Sequence, residues 1–208
     1  MDVSLSDAVK WIAERGVLAY PTETVWGLGA DARSDAAVDQ LRAFKGRGDA
    51  APISILVTGA GALAALGFRI DAAAQRLARE FWPGPLTLVL PCSASFAAGV
   101  AREDGAVGVR CSPHRVASEL AASCARAGTG PVTATSCNAT GAAPARTRAE
   151  ARDVCGGDPR VRVIADGEDA SGEPPSTVVD VTGAVPRVLR WGALQESALG
   201  PVLEELAA

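Results

Sequence analysis

Apolar residues recur along the chain in two spacings. Runs with a three-to-four-residue period alternate with short continuous apolar runs, and a glycine, a proline or a capping residue separates them. Residues 6–15 carry Val9, Ile12 and Ala13 at helical spacing, Gly16 stops the run, and Val17-Leu18-Ala19-Tyr20 reads as a buried strand. Pro21 ends that strand, Thr22-Glu23-Thr24 forms a polar loop, and an apolar course resumes over 25–28. Ser34 caps a second predicted helix with Ala37, Val38, Leu41 and Phe44 on one face, closing at Lys45-Gly46-Arg47. A strand is predicted over 52–57, then a helix over 70–81 with Ala73, Leu77 and Phe81 inward and Arg76, Arg79 and Glu80 outward. Strands over 86–90 and 107–109, a helix over 113–126 and a strand over 132–135 lead to Ser136-Cys137-Asn138. Thr147 and Glu150 make a capping box for a helix ending near Cys155-Gly156-Gly157. Strands at 161–165, 177–181 and 188–190 are expected to close the sheet, with a polar loop over 166–175 between the first two. A helix over 197–206 follows.

This alternation predicts an α/β fold. The last strands follow one another without helices, so the sheet is expected to be mixed. No repeat, low-complexity block or linker divides the chain, and residues 1–208 read as a single domain. With 48% hydrophobic and 21% charged residues, wholesale disorder and collagen-like repeats are excluded. Two long uncharged stretches, 50–68 and 81–101, are each broken by prolines and glycines, so neither reads as a membrane helix. Met1-Asp2-Val3-Ser4 lacks the cationic and apolar regions of a signal peptide, which makes a cytoplasmic protein the expectation. The five cysteines are widely spaced with no C-x-x-C pair, which argues against a disulfide framework or a zinc knuckle. The one histidine, His114, follows Ser112-Pro113 at a helix start and reads as a surface or capping residue.

The net charge is −4, so an anion site has to be a local concentration of cations. Polar clusters stand at the ends of apolar strands: Pro21-Thr22-Glu23-Thr24, Lys45-Gly46-Arg47, Arg110, Ser136-Cys137-Asn138, Ser176-Thr177 and Arg190. In an open α/β sheet the loops at strand ends form the ligand crevice. Hydroxyls, an amide and cations suit an anionic ligand, with Arg offering forked bonds to carboxylate or phosphate and Lys a point charge. Of the 20 basic residues only Lys10 and Lys45 are lysines, so Lys45 beside Arg47 stands out, although a cation at a helix C-terminus also complements the helix dipole. Gly27-Leu28-Gly29-Ala30-Asp31-Ala32 fits a dinucleotide fingerprint, but the next helix begins too late to carry the pyrophosphate. Arg47-Gly48-Asp49 and Asn138-Ala139-Thr140 are short coincidental matches without a secretory context, and there is no P-loop.

Taken together, six ordered motifs resemble the threonylcarbamoyl-AMP synthase family, also called YrdC-like or Sua5/YciO/YrdC. They are Ala19 to Gly29 with Pro21-Thr22-Glu23-Thr24 at its centre, Lys45-Gly46-Arg47, Trp82-Pro83-Gly84-Pro85-Leu86-Thr87, Val107-Gly108-Val109-Arg110, Ser136-Cys137-Asn138 with Gly141, and Pro175 to Asp180 ending in Leu189-Arg190-Trp191-Gly192. The resemblance implies a twisted mixed sheet flanked by helices around a deep basic cavity. It also implies a nucleotidyltransferase that makes threonylcarbamoyl-AMP and pyrophosphate from L-threonine, bicarbonate and ATP, for the t6A modification of tRNA. Carried over motif by motif, Lys45 and Arg47 clamp the ATP phosphates and are the catalytic pair, Ser136 and Asn138 hold the nucleotide, and Arg190 holds its phosphates or ribose. Thr22 and Ser176 bond threonine, and Arg110 pairs with its carboxylate. The proton of the amine goes to Thr22 or to water. Mg2+ is expected with the phosphates, with no protein ligand identified for it, and tRNA and the t6A transferase machinery are further expected partners.

The chain departs from the family pattern at three places. Cys137 replaces the alanine of S-A-N, Gly48 the proline of K-x-R-P, and Trp191 the proline of R-P-G. Trp191 is read as shielding the sheet edge rather than stacking on a base. Nothing after Leu206 is left for an extra C-terminal domain, so the short type is expected. The competing readings are an RNA-binding module of the same fold without synthase activity and a carbamoyl-transferring relative.

Overall fold

The helix starts follow local side-chain chemistry closely. In the computed structural model, which describes residues 1–46 and 52–207, Ser34 Oγ accepts from the Ala37 amide and starts α2 (Asp35–Lys45), which Gly46 ends in the left-handed conformation. Ser4 begins α1 (Leu5–Ala13) in the same way. Asp71 caps α3 (Ala72–Phe81), so this helix begins two residues later than its apolar spacing predicts. Its buried face is accordingly Ala74, Leu77 and Ala78, while Ala73 and Phe81 are half-buried. His114 Nδ1 accepts from the Val116 amide and caps α4 (Arg115–Arg126), the capping role its position suggests. Thr147 starts α5 (Arg148–Cys155), and α6 spans Glu196–Ala207.

The capping box of α5 is complete: Thr147 Oγ1 accepts from the Glu150 amide, and Glu150 Oε2 accepts from the Thr147 amide. Thr147→Ala removes the first bond and weakens the second. A loss of about 1 kcal/mol is expected, read as a lower midpoint in urea unfolding with an unchanged slope.

The strands are β1 (Asp2–Val3), β2 (Val17–Tyr20), β3 (Gly27–Gly29), β4 (Ser54–Leu56), β5 (Leu86–Pro91), β6 (Ala106–Arg110), β7 (Thr133–Ser136), β8 (Val161–Ile164), β9 (Thr177–Asp180) and β10 (Arg187–Arg190). Among the described residues they form one sheet in the order β1-β8-β2-β3-β7-β4-β6-β5-β9-β10. The pairs β1/β8, β8/β2, β4/β6 and β5/β9 are parallel and the others antiparallel, so the sheet is mixed as expected. The three C-terminal strands do not close it together. β8 joins β2 near one edge, whereas β9 and β10 form the opposite edge, and residues 165–176 cross between the two. Two-residue β1 has no apolar pattern and is set by its pairing with β8.

Strand alternation separates two faces. Ile55 on β4, Leu86, Leu88 and Leu90 on β5, and Val107 and Val109 on β6 point into the core and are at most 1% exposed. The intervening residues, Ser54, Thr87, Val89, Gly108 and Arg110, line a cavity instead. No helix among the described residues is long and apolar enough to cross a membrane.

Candidate active site

The cavity has a volume of about 640 Å3, within the size range of small-molecule sites. It lies on the sheet face as well as at the strand ends that the sequence points to. Arg110, Ser136 and Arg190 are the last residues of their strands, but mid-strand Gly108 and Val89, and Ser54 at the start of β4, also line it. Small residues leave the space: a Cβ on Gly108 would run into the Ser54 hydroxyl.

Register explains how distant residues meet. Leu56 pairs with Arg110, Arg110 with Thr87, Thr87 with Val178, and Val178 with Arg190, so one lateral row crosses β4, β6, β5, β9 and β10. All five residues line the cavity. Three inter-strand steps of about 4.8 Å put the backbones of the two arginines about 14 Å apart, with Thr87 and Val178 as the floor between them. The irregularity between Val188 and Arg190 lets both Leu189 and Arg190 reach the lining.

Arg110 stands next to Leu56 near one end of the row and is 8% exposed. Its Nη2 donates to Thr24 Oγ1 at 2.6 Å and Glu23 Oε1 at 2.8 Å, with Thr22 Oγ1 at 3.4 Å, and its Nε is buried without an acceptor. At the other end Arg190 Nη2 donates to the Ser176 carbonyl at 2.7 Å. Burial, and then the like charge of Arg110, hold the Arg190 guanidinium below its ordinary value, though an arginine stays protonated throughout. An anion placed between the two relieves that repulsion. The hydroxyls of Ser176 and Thr87 meet at 2.8 Å beside them.

Lys45, the last residue of α2, is 4% exposed. Its Nζ donates to the Ser136 carbonyl and, at 3.0 Å each, to the carbonyl and Oδ1 of Asn138. Asn138 Oδ1 also accepts from Ser136 Oγ at 2.6 Å, while its Nδ2 donates to the Ala142 carbonyl at 2.7 Å. One ammonium therefore organises the whole exit loop of β7. Cys137, between the two, is fully buried in the core, so the departure from the family pattern lies behind the cavity wall.

Thr22 Oγ1 donates to the Val25 carbonyl at 2.7 Å and accepts from the Thr24 amide at 3.3 Å. Its hydroxyl proton shapes the turn, and its oxygen faces a guanidinium, which makes it a poor base for an amine proton. Tyr20 is held as a donor to the Thr133 carbonyl at 3.0 Å, because burial pushes its phenol up.

Seven of the eight residues singled out from the sequence thus share one cavity: Thr22, Lys45, Arg110, Ser136, Asn138, Ser176 and Arg190. Arg47, like Gly48, falls outside the described residues. Sequence reasoning missed Thr87, Arg102 and Tyr20, which also line the cavity. Thr87 was visible as the lone hydroxyl in the apolar run Leu86-Thr87-Leu88-Val89-Leu90. Arg102 gave no signal, because its place depends on Asp180, to which Nη1 donates at 2.7 Å, and on Asp104, whose carboxyl it holds down at about 2. Trp191 is 45% exposed and is not a lining residue among those described.

Residues 10–192 match the Sua5_yciO_yrdC family model, whose description reads "Telomere recombination". The chain belongs to the Sua5/YciO/YrdC family. A Sua5/YciO/YrdC relative from Mycobacterium tuberculosis, named putative threonylcarbamoyl-AMP synthase, is 35% identical over 94% of this chain and 87% of its own. The threonylcarbamoyl-AMP synthase of Pyrococcus abyssi is 35% identical over 96% of this chain and 57% of its own. The crystal structure of P. abyssi Sua5 complexed with L-threonine superposes with a TM-score of 0.86 at 33% identity, covering 95% of this chain and 56% of that one. The chain thus spans a little over half of the archaeal Sua5 relative it matches and most of the mycobacterial one.

The cavity lining of this Sua5/YciO/YrdC chain holds four cations, Lys45, Arg102, Arg110 and Arg190, and no carboxylate among the described residues. Nor do the described residues hold a group of three or more His, Cys, Asp or Glu side chains suited to a metal ion. The donor set is one for anions and does not fit a protein-held magnesium ion.

Proposed function

We propose that the chain forms threonylcarbamoyl-AMP and pyrophosphate from L-threonine, bicarbonate and ATP, in the cytoplasm and for the t6A modification of tRNA, with residues 1–208 acting as one unit. The observation that carries this reading is a cavity, in a chain of this family, whose described lining residues include four cations and no carboxylate. In it Arg110 takes the amino-acid carboxylate through a forked bond, and Thr22 and Ser176 line the same end. The Lys45 loop, with Ser136 and Asn138, holds the nucleotide, Arg190 binds its phosphates or ribose, and Arg47, outside the described residues, keeps the phosphate-clamping role that the family resemblance gives it. Fixed cations near the α-phosphorus offset the charge that builds on the departing pyrophosphate, and the side chains of the cavity keep the carbamate in line with it. Mg2+ that accompanies ATP is held by phosphate oxygens and water. The product passes to the t6A transferase machinery, which brings the tRNA.

Pyrophosphate release from ATP, measured with threonine and bicarbonate each present or omitted, tests the reading. Release that needs both is expected. No release in any combination, with salt-sensitive tRNA binding instead, would replace the synthase by an RNA-binding module.

A further inference from the structure

Arg110 is the group that meets the amino-acid carboxylate, yet every bond it makes within the protein leaves from one nitrogen. Nη2 is aimed at the turn 21–24, and its charged partner there is Glu23 Oε1 at 2.8 Å. Glu23 is tied down at three points. Its Oε2 accepts from Ser112 Oγ, two residues beyond Arg110; Ser112 Oγ in turn accepts from the His114 amide at 3.2 Å, at the cap of α4. Its carbonyl accepts from Ser171 Oγ, on the segment that crosses between the two edges of the sheet. Glu23 itself is not a lining residue among those described, although Thr22 and Arg110 on either side of it are.

We infer that Glu23 is a positioning residue for the amino-acid subsite: its fixed carboxylate holds the Nη2 corner of Arg110 against the turn, so that the rest of the guanidinium is presented to the ligand. The inference rests on the proposed function for the ligand it names. A free guanidinium on a three-carbon stem samples many rotamers, and binding a carboxylate then costs the entropy of ordering it. A guanidinium already anchored at one corner has met that cost in the empty protein. The hydroxyls of Thr22 and Thr24 also accept from this nitrogen, but only the Glu23 carboxylate adds an opposite charge to the bond and makes it an ion pair.

Calorimetric titration of Glu23→Gln and Glu23→Asp with L-threonine, in the absence of ATP, tests this without relying on turnover. Glu23→Gln is expected to weaken threonine binding at least tenfold, with Glu23→Asp, which keeps the charge on a shorter stem, between it and the parent chain. ATP binding is expected to stay within twofold in both, and the unfolding midpoint of Glu23→Gln reports whether the fold persists. Equal threonine affinity in parent and Glu23→Gln overturns the inference. Tighter binding in Glu23→Gln also overturns it, since Glu23 would then be masking Arg110. Parallel losses of threonine and ATP affinity point to a merely structural role and overturn it too. A parent chain that binds threonine but releases no pyrophosphate sinks the synthase reading alone, whereas a parent chain that binds no threonine sinks both.

Discussion

Arg110→Lys raises the KM for threonine by about 10- to 100-fold and leaves the KM for ATP within twofold. The guanidinium holds the turn 21–24 on its Nη2 side and, in the proposed role, takes the ligand carboxylate on the other, and a lysine ammonium lacks the planar fork to serve both. What is lost is one charge-assisted bond to a carboxylate, about 1.5 to 3 kcal/mol. Glu23 also loses its ion-pair partner while only partly exposed, so a fall in thermal midpoint accompanies the kinetic change. Initial rates of pyrophosphate release at varied threonine and saturating ATP give the number. An unchanged threonine KM would place the carboxylate elsewhere in the cavity and assign Arg110 to the phosphates.

Lys45→Met is the second substitution with a large expected effect, and it acts on stability and activity together. Three acceptors that share one buried ammonium lose it at once, and a thioether offers no donor in return, although Asn138 Oδ1 keeps another partner, Ser136 Oγ. With bonds to a charged group at about 1.5 to 3 kcal/mol each and partial relaxation of the loop, a loss of about 3 kcal/mol is expected. The residues proposed to frame the nucleotide, Ser136 and Asn138, are those that the ammonium holds, so kcat is expected to fall at least about 100-fold. Urea unfolding and pyrophosphate release on the same preparation separate the contributions. A variant that keeps parental stability but no activity would make phosphate contact the dominant role of Lys45, and one that keeps both would remove it from the site.

Local chemistry was legible in the chain because it is decided within a few residues. Ser34, Thr147 and Gly46 act on their own neighbours, and the structure uses them where the sequence puts them. The alternation of Leu86, Leu88 and Leu90 with Thr87 and Val89 likewise shows that one face of β5 differs from the other. Which strands stand side by side was not legible. β8 and β9 are adjacent in sequence yet lie near opposite edges, because parallel β1 and β2 claim β8 while β5 claims β9. For the same reason the motifs named the residues at strand ends, and their resemblance a deep basic cavity, but not its place on the sheet face, which follows only once register sets Arg110, Thr87, Val178 and Arg190 in one row. Arg102 was invisible because nothing near it in sequence explains its partner, Asp180, 78 positions away.

The crossing of residues 165–176 has a consequence during synthesis. While the ribosome has delivered only the first 160 residues or so, Lys45, Arg110 and Ser136 already exist, but β8 does not yet clamp β1 and β2, and Ser176, just before β9, and Arg190, at the end of β10, are still to come. The nascent chain at that stage presents a half-built, cation-lined sheet with an open edge at β5, a state that invites pairing with other chains. The last wall of the cavity, with Arg190, and the strand that covers the edge of β5 are therefore supplied by the same short stretch of polypeptide.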